Sequence, residues 1–270
     1  EPGVVPPAEP AGLSGVRGAI EFRDVDFRYP GTDRLVLRGV SFRAEPGETV
    51  AVVGPTGAGK STLVSLIPRI YDPTEGEVLL DGIPLEQVDP EELRRFVGVV
   101  PQDTFLFSDT IQANIALGVE ETQDPRIRES AHVAQIHTSI LGFPEGYDTL
   151  LGERGINLSG GQKQRTALAR ALARDPYVLI LDDALSAVDT HTEAKILQDL
   201  RGVLSGRTSF VISHRVSAVM NADQILVLDE GRIVERGTHQ TLLARGGTYA
   251  TLLRRQLLEE ELEKKEAAAS

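Results

Sequence analysis

Cysteine is missing from all 270 residues, which excludes a disulfide framework and a thiolate metal centre. No apolar run reaches the roughly 18 residues a membrane helix needs, and no basic-then-apolar leader opens the chain. As given, the chain reads as soluble. Lysine is scarce and occurs only at Lys60, Lys163, Lys195, Lys264 and Lys265, so nearly all the positive charge is arginine. Basic residues as a whole are outweighed. Lys and Arg number 28 against 40 Asp and Glu, a net charge of −12. That balance argues against nucleic acid as a partner unless the sign is locally reversed. What is present is 41% hydrophobic content, enough for a sizeable core in one large domain or two small ones.

One stretch organises the rest. Gly54-Pro55-Thr56-Gly57-Ala58-Gly59-Lys60-Ser61 fits G-x-x-x-x-G-K-[ST] at every fixed position. Thr49-Val50-Ala51-Val52-Val53 before it reads as a buried strand, and Thr62-Leu63-Val64-Ser65-Leu66-Ile67 after it as the first turns of a helix. A chance glycine-rich turn would need neither neighbour. Glycine opens backbone angles closed to other residues. Successive N–H groups then form an anion nest at a helix N-terminus. Lys60 reaches the outer phosphates and the Ser61 hydroxyl ligates Mg²⁺. The chain is therefore expected to bind a nucleoside triphosphate.

Around this loop the pattern alternates strands and helices. Residues 1–18 are rich in Pro, Gly and Ala and read as an extended linker. Ile20, Phe22, Phe27 and Tyr29 alternate around a break at Asp24-Val25, a strand with a bulge. A second strand covers residues 36–42, with a turn at residues 45–48. Residues 72–76 make a turn, and Asp81-Gly82 marks a hairpin between residues 77–80 and 83–85. Residues 96–100 form a buried strand ending at Pro101-Gln102. Residues 108–142 are mostly helical, with Ile127, Ala131, Ala134 and Ile136 on one face. Ser159 is placed as the N-cap of a helix over residues 163–173, and Gly160-Gly161 at a helix start suggests a second anion site. Tyr177-Val178-Leu179-Ile180-Leu181 reads as a central parallel strand ending in Asp182-Asp183. A carboxylate there is placed to hold Mg²⁺ through water. Residues 210–214 repeat the form and end at His214. Two short strands, at residues 224–229 and 232–236, and a helical tail from Tyr249 close the chain. Glu260/Lys264 and Glu261/Lys265 are i,i+4 pairs on that tail.

The phosphate loop, Gln102, Leu158-Ser159-Gly160-Gly161-Gln162, the strand into Asp182-Asp183 and His214 stand in the order that resembles the ATP-binding cassette (ABC) ATPases. The resemblance covers about residues 18–256. It implies an α/β fold: a P-loop NTPase core with a mainly parallel central sheet, an antiparallel β subdomain near the N-terminus, and an α-helical subdomain inserted at about residues 103–174. It makes residues 1–18 a linker from an absent transmembrane domain, 19–256 the nucleotide-binding domain, and 257–270 a charged helical tail. The implied cofactors are ATP and Mg²⁺. Tyr29 resembles the aromatic that stacks on adenine. Gly54, Thr56, Gly57, Ala58, Gly59, Lys60, Ser61 and Thr62 hold the phosphates. Ser61, Gln102 and Asp182 hold the metal. Gln102 also couples to the transmembrane part, and His214 contacts the γ-phosphate. Ser159, Gly160, Gly161 and Gln162 resemble the segment that binds ATP held by the opposite domain, and residues 186–189 the loop by which two domains touch.

Phe27-Arg28-Tyr29-Pro30, Pro101-Gln102-Asp103-Thr104-Phe105-Leu106-Phe107, Gly152-Glu153-Arg154-Gly155 and Arg236-Gly237-Thr238-His239 resemble exporter half-transporters. The chain is thus expected to be an excised domain that hydrolyses ATP at the cytoplasmic face of the inner membrane. Its expected partners are its own transmembrane domain and a second nucleotide-binding domain. Leu150 departs from the exporter pattern, where Glu often follows Thr. So does Asp183, where the family usually has the Glu that orients the attacking water. Asp is shorter by about 1.5 Å, and a misplacement of about 1 Å can cost on the order of 100-fold. Asp183 resembles the degenerate half of heterodimeric exporters, so the partner is expected to be non-identical and this chain's own site slow. The alternatives are a symmetric homodimer, an import-type ATPase, a soluble ABC protein outside transport, and a module that only holds ATP.

Overall fold

The computed structural model describes residues 4–119, 124–152, 158–204, 206–213 and 215–269. Alternating apolar residues build a first, wholly antiparallel sheet. In it β1 (Ile20–Arg28) lies between β2 (Leu35–Ala44) and β4 (Glu75–Leu80), and β5 (Ile83–Pro84) forms a tight hairpin on β4. The expected bulge is present: the β1–β2 register shifts between Phe22 and Val25, and Asp24 takes φ 49°. The bulge shapes the neighbouring strand. β4 starts at Glu75, not at residue 77, and a Cβ at Gly76 would lie 2.3 Å from the Asp24 carbonyl oxygen. Only glycine lets the strand pass there.

The second sheet has the order β10-β9-β3-β8-β7-β6. Its strands are β3 (Thr49–Val53), β6 (Val97–Val100), β7 (Val178–Asp182), β8 (Thr208–Ile212), β9 (Gln224–Asp229) and β10 (Arg232–Gly237). Every pairing is parallel except β9 with β10. The two-residue period of a strand sorts its side chains. Val50 and Val52 face the first sheet and α1 (Lys60–Ser65), while Ala51 and Val53 pack on the opposite side with Val219, Leu242 and Tyr249. Those three residues belong to α8 (Val216–Val219), α9 (His239–Arg245) and α10 (Thr248–Ala269). Phe42 stacks on Phe22 at 4.6 Å and meets Phe210 edge-on at 6.2 Å, tying the two sheets together. Such ring pairs add about 0.5–1.5 kcal/mol each beyond area burial.

Between β6 and β7 the chain carries α3 (Ile111–Ile115), α4 (Pro125–Val133), α5 (His137–Leu141) and α6 (Gly160–Ala173). Ile127, Ala131, Ala134 and Ile136 are buried there against α6 and the face of β7 that presents Leu179 and Leu181. The α/β expectation therefore holds, with its mainly parallel sheet, its antiparallel sheet and its run of helices. Four helices carried no sequence expectation: α2 (Pro90–Phe96), α7 (Thr190–Leu204), α8 and α9. For α2 the signal was present, since Asp89 caps the Glu91 N–H at 2.7 Å and Pro90 fills the first helical position. Helix α6 starts at Gly160, three residues before the expected residue 163.

Residues 4–18 have no regular secondary structure, yet they are strapped down. The Asp81 carboxylate accepts from the N–H groups of Arg17, Gly18 and Ala19 at 2.7, 3.1 and 2.9 Å. Arg69, 3% exposed beyond α1, donates to the Val5 and Val88 carbonyls and pairs with Asp72. Among the described residues no helix is long and apolar enough to cross a membrane.

Candidate functional site

Strand β3 delivers the chain to the site. Gly54 follows it at φ 152°, where a Cβ would lie 2.0 Å from the Leu228 carbonyl oxygen. Gly59 caps α1 at φ 102°, with the Val36 carbonyl oxygen 3.0 Å from where a Cβ would be. Lys60 is only 8% exposed, and its Nζ donates to the carbonyls of Gly54 at 2.9 Å and Pro55 at 3.0 Å. Burial pushes its pKa below the ordinary lysine value, while the Asp183 and Asp182 carboxylates push it back up. The ammonium thus rests on two neutral carbonyls of its own loop. An entering phosphate would offer it stronger, charge-assisted acceptors.

Thr56, Gly57, Ala58, Gly59, Lys60, Ser61 and Thr62 line a cavity of about 840 Å³, shared with Tyr29, Gln102 and Asp183. Gly54 lies behind this space and lines a smaller cavity against α10. Tyr29 is 36% exposed, and its hydroxyl lies 2.8 Å from Thr62 Oγ1. Phe27 and Tyr71 meet its ring edge-on. Strand β7 ends at the buried Asp182, and Asp183 follows at φ 45°, its N–H donating to the Ile212 carbonyl at 3.0 Å. A separate cavity of about 640 Å³, lined by Arg126, Leu172, Tyr177 and Arg207, lies at the other end of β7.

Ser159, Gly160, Gly161 and Gln162 do not line the phosphate-loop cavity. Ser159 caps α6 reciprocally: its Oγ accepts the Gln162 N–H at 3.2 Å, and Gln162 Oε1 accepts the Ser159 N–H at 3.0 Å. Ser159 and Gly160 are exposed. A Cβ at Gly161 would lie 2.8 Å from the Ala187 carbonyl oxygen, and one at Gly160 would touch the Ala187 methyl at 3.4 Å. The glycines here answer a need for space. The helix start was read from sequence as an anion site, and its close approach to residues 186–188 was not foreseen.

The family model describing ABC transporters matches residues 37–186. The chain belongs to the ABC transporter family. It is 49% identical over 239 residues to the uncharacterized ABC transporter ATP-binding protein YfiB of Bacillus subtilis, covering 88% of this chain and 41% of that protein. It is also 49% identical over 244 residues to an ATP-dependent lipid A-core flippase of Saccharophagus degradans, covering 90% and 42%. A bacterial Atm1-family ABC exporter with ATP bound matches it in structure at a TM-score of 0.89 and 46% identity, over 94% of this chain and 44% of that one. The chain spans about two fifths of the length of these relatives.

Within the ABC family the chain is an ATPase domain, and ATP binding follows from that membership. His214 lies outside the described residues, as do Glu153, Arg154 and Gly155 and the side chains of Glu260, Glu261, Lys264 and Lys265. The sequence reading missed part of the cavity wall: Arg34, Arg38, Asp229 and Glu230. The turn after β9 is held between β2 and the phosphate loop, because the Arg38 N–H donates to the Gly231 carbonyl and the Gly231 N–H to the Ala58 carbonyl. A Cβ at Gly231 would sit 2.3 Å from the Val36 carbonyl oxygen. The Glu230-Gly231 pair signalled the turn but not its neighbours.

Proposed function

We propose that this domain hydrolyses ATP to ADP and phosphate and thereby drives export by an ABC exporter. One observation carries the reading. Tyr29, Lys60, Gln102 and Asp183 surround one cavity, while Ser159 and Gly160 stand exposed outside it. A complete site then needs this chain's phosphate loop and the 159–162 turn of a second nucleotide-binding domain. The partner domain is non-identical in this proposal, because Asp183 makes the two composite sites unequal. Residues 1–18 lead in from the transmembrane domain of the same half-transporter, 19–256 form the ATPase unit, and 257–270 form the tail. The assembly sits at the cytoplasmic face of the membrane, and the net charge of −12 suits it poorly to nucleic acid.

The residues present fit Mg²⁺. Ser61 and Gln102 line the cavity, and Asp182 ends the strand beside Asp183. All three offer hard oxygen donors. When bound, the ion neutralises charge on the outer phosphates. The chain's own residues do the rest. Lys60 leaves its two carbonyls for phosphate oxygens, and the Tyr29 ring flanks the base. In this reading Asp183 orients the attacking water and His214 contacts the γ-phosphate.

Sedimentation and phosphate release test this together. The chain should be monomeric without nucleotide, pair weakly with MgATP and turn over slowly. A stable dimer without nucleotide would overturn the proposal.

A further inference from the structure

Two side chains grip residues 186–188 from opposite sides. From α6, Gln164 is 5% exposed and uses both ends of its amide. Its Nε2 donates to Ser186 Oγ at 2.9 Å, and its Oε1 accepts the Ala187 N–H at 2.9 Å. From beyond β8, Arg215 donates to the Val188 carbonyl and the Ser186 carbonyl, each at 3.1 Å. The same guanidinium pairs with Glu193 of α7, whose side chain is 2% exposed. The Arg215 N–H donates to Ser213 Oγ at 3.0 Å, at the tip of β8. The gripped segment is tied to the nucleotide cavity, since the Ser186 N–H donates to the carbonyl of Asp183, which lines it, at 3.1 Å. It ends against the α6 cap, where Ala187 abuts Gly160 and Gly161.

We infer that Gln164 and Arg215 are positioning residues that pass the nucleotide state of this chain's own cavity to the 159–162 turn. Neither side chain lines that cavity, so neither is catalytic. The physical reason is rigidity. The buried Gln164 amide and the partly buried Arg215 guanidinium occupy a side-chain hydroxyl, an N–H and two carbonyls within three residues. A segment held this way moves as a unit and does not absorb a displacement. A shift at Asp183 or at the tip of β8 therefore reaches Gly160 and Gly161 through Ala187, a continuous chain of contacts. Under the composite-site proposal, on which the consequence rests, the 159–162 turn serves the other ATP. The grip would then let one site bias the next.

Amide hydrogen exchange on the 270-residue chain tests the link, at a concentration where it is monomeric, with and without MgATP. In the parent, MgATP should slow exchange across residues 159–163 by roughly 5-fold, the low end of measured couplings. Gln164→Ala and Arg215→Lys should bind MgATP like the parent in calorimetry and lose the slowing. Lys keeps the charge facing Glu193 but lacks the fork that reaches two carbonyls. A merely electrostatic role would survive that change. Gln164→Glu keeps an acceptor for the Ala187 N–H and accepts the Ser186 hydroxyl, so it should restore the slowing. The inference is overturned if Arg215→Lys and Gln164→Ala respond as the parent does, or if the parent shows no slowing. The composite-site proposal is read separately, by MgATP-dependent pairing in sedimentation, and can fail while the exchange result stands.

Discussion

Replacing Asp183 with Glu sets two effects against each other. The added methylene carries the carboxylate about 1.5 Å further into the cavity. Displacing a catalytic group by about 1 Å can cost on the order of 100-fold. Restoring most of that reach should raise turnover by roughly 10-fold or more, about 1.4 kcal/mol off the barrier. The backbone opposes the change. Asp183 sits at φ 45°, a region that Asp tolerates through its short polar side chain and that costs longer residues about 1 kcal/mol. The fold should therefore lose about 2–4 °C of melting temperature. ATP affinity should stay put, because Lys60, Ser61 and Asp182 are untouched, and the gain should appear in kcat alone. Phosphate release at saturating MgATP reads the rate, and titration and scanning calorimetry read affinity and melting. The partner's own catalytic carboxylate is best removed, so that only this site turns over. If the parent already hydrolyses as fast as Asp183→Glu in that background, Asp183 is a competent residue. The slow-site reasoning then fails, and a symmetric pair replaces it.

Lys60→Ala removes two hydrogen bonds to loop carbonyls and should leave the fold intact. Losing a charged phosphate partner should weaken MgATP binding by roughly 10- to 100-fold in calorimetry, and parent-like binding would refute the loop's role. Gly161→Ala places a Cβ 2.8 Å from the Ala187 carbonyl oxygen; it should abolish MgATP-dependent pairing in sedimentation while monomeric MgATP binding persists. His137 carries a pH dependence of known sign: burial first, then His132 and Arg128, hold its pKa below the ordinary histidine value. The unfolded chain therefore takes up the proton first, so stability is full above the unfolded pKa and is lost as pH falls through the folded one. Melting temperatures across that window should fall less for His137→Gln than for the parent, and parallel curves would remove His137 as the cause.

The strands were legible because they alternate or run apolar without a break. Val178 to Asp182 is buried at every position, as an uninterrupted apolar run before a carboxylate predicts. The bulge at Asp24 could be read too, since it breaks a period of two. Its effect on Gly76 could not, because that contact joins two strands far apart in sequence. The same limit separates the motifs from what supports them. The phosphate loop is local, and its spacing announces it. The grip of Gln164 and Arg215 spans three elements, and each residue alone reads as an ordinary polar residue beside a motif.

The topology explains why a site built from distant motifs forms a single edge. In a parallel sheet every strand points the same way, so the C-terminal ends of β3, β6, β7 and β8 fall side by side. Those ends carry Gly54, Gln102, Asp182-Asp183 and Ser213. The 159–162 turn, at the start of α6, does not line the cavity those ends share. Its cap meets the 186–188 segment, which returns from β7. Asp183 starts that segment and Ala187 abuts the turn. The chain's own chemistry and its proposed service to a partner thus stand only a few residues apart. Under the proposal, an Asp at position 183 slows the first while the residues of the 159–162 turn stay intact, and a side chain at Gly161 should do the reverse.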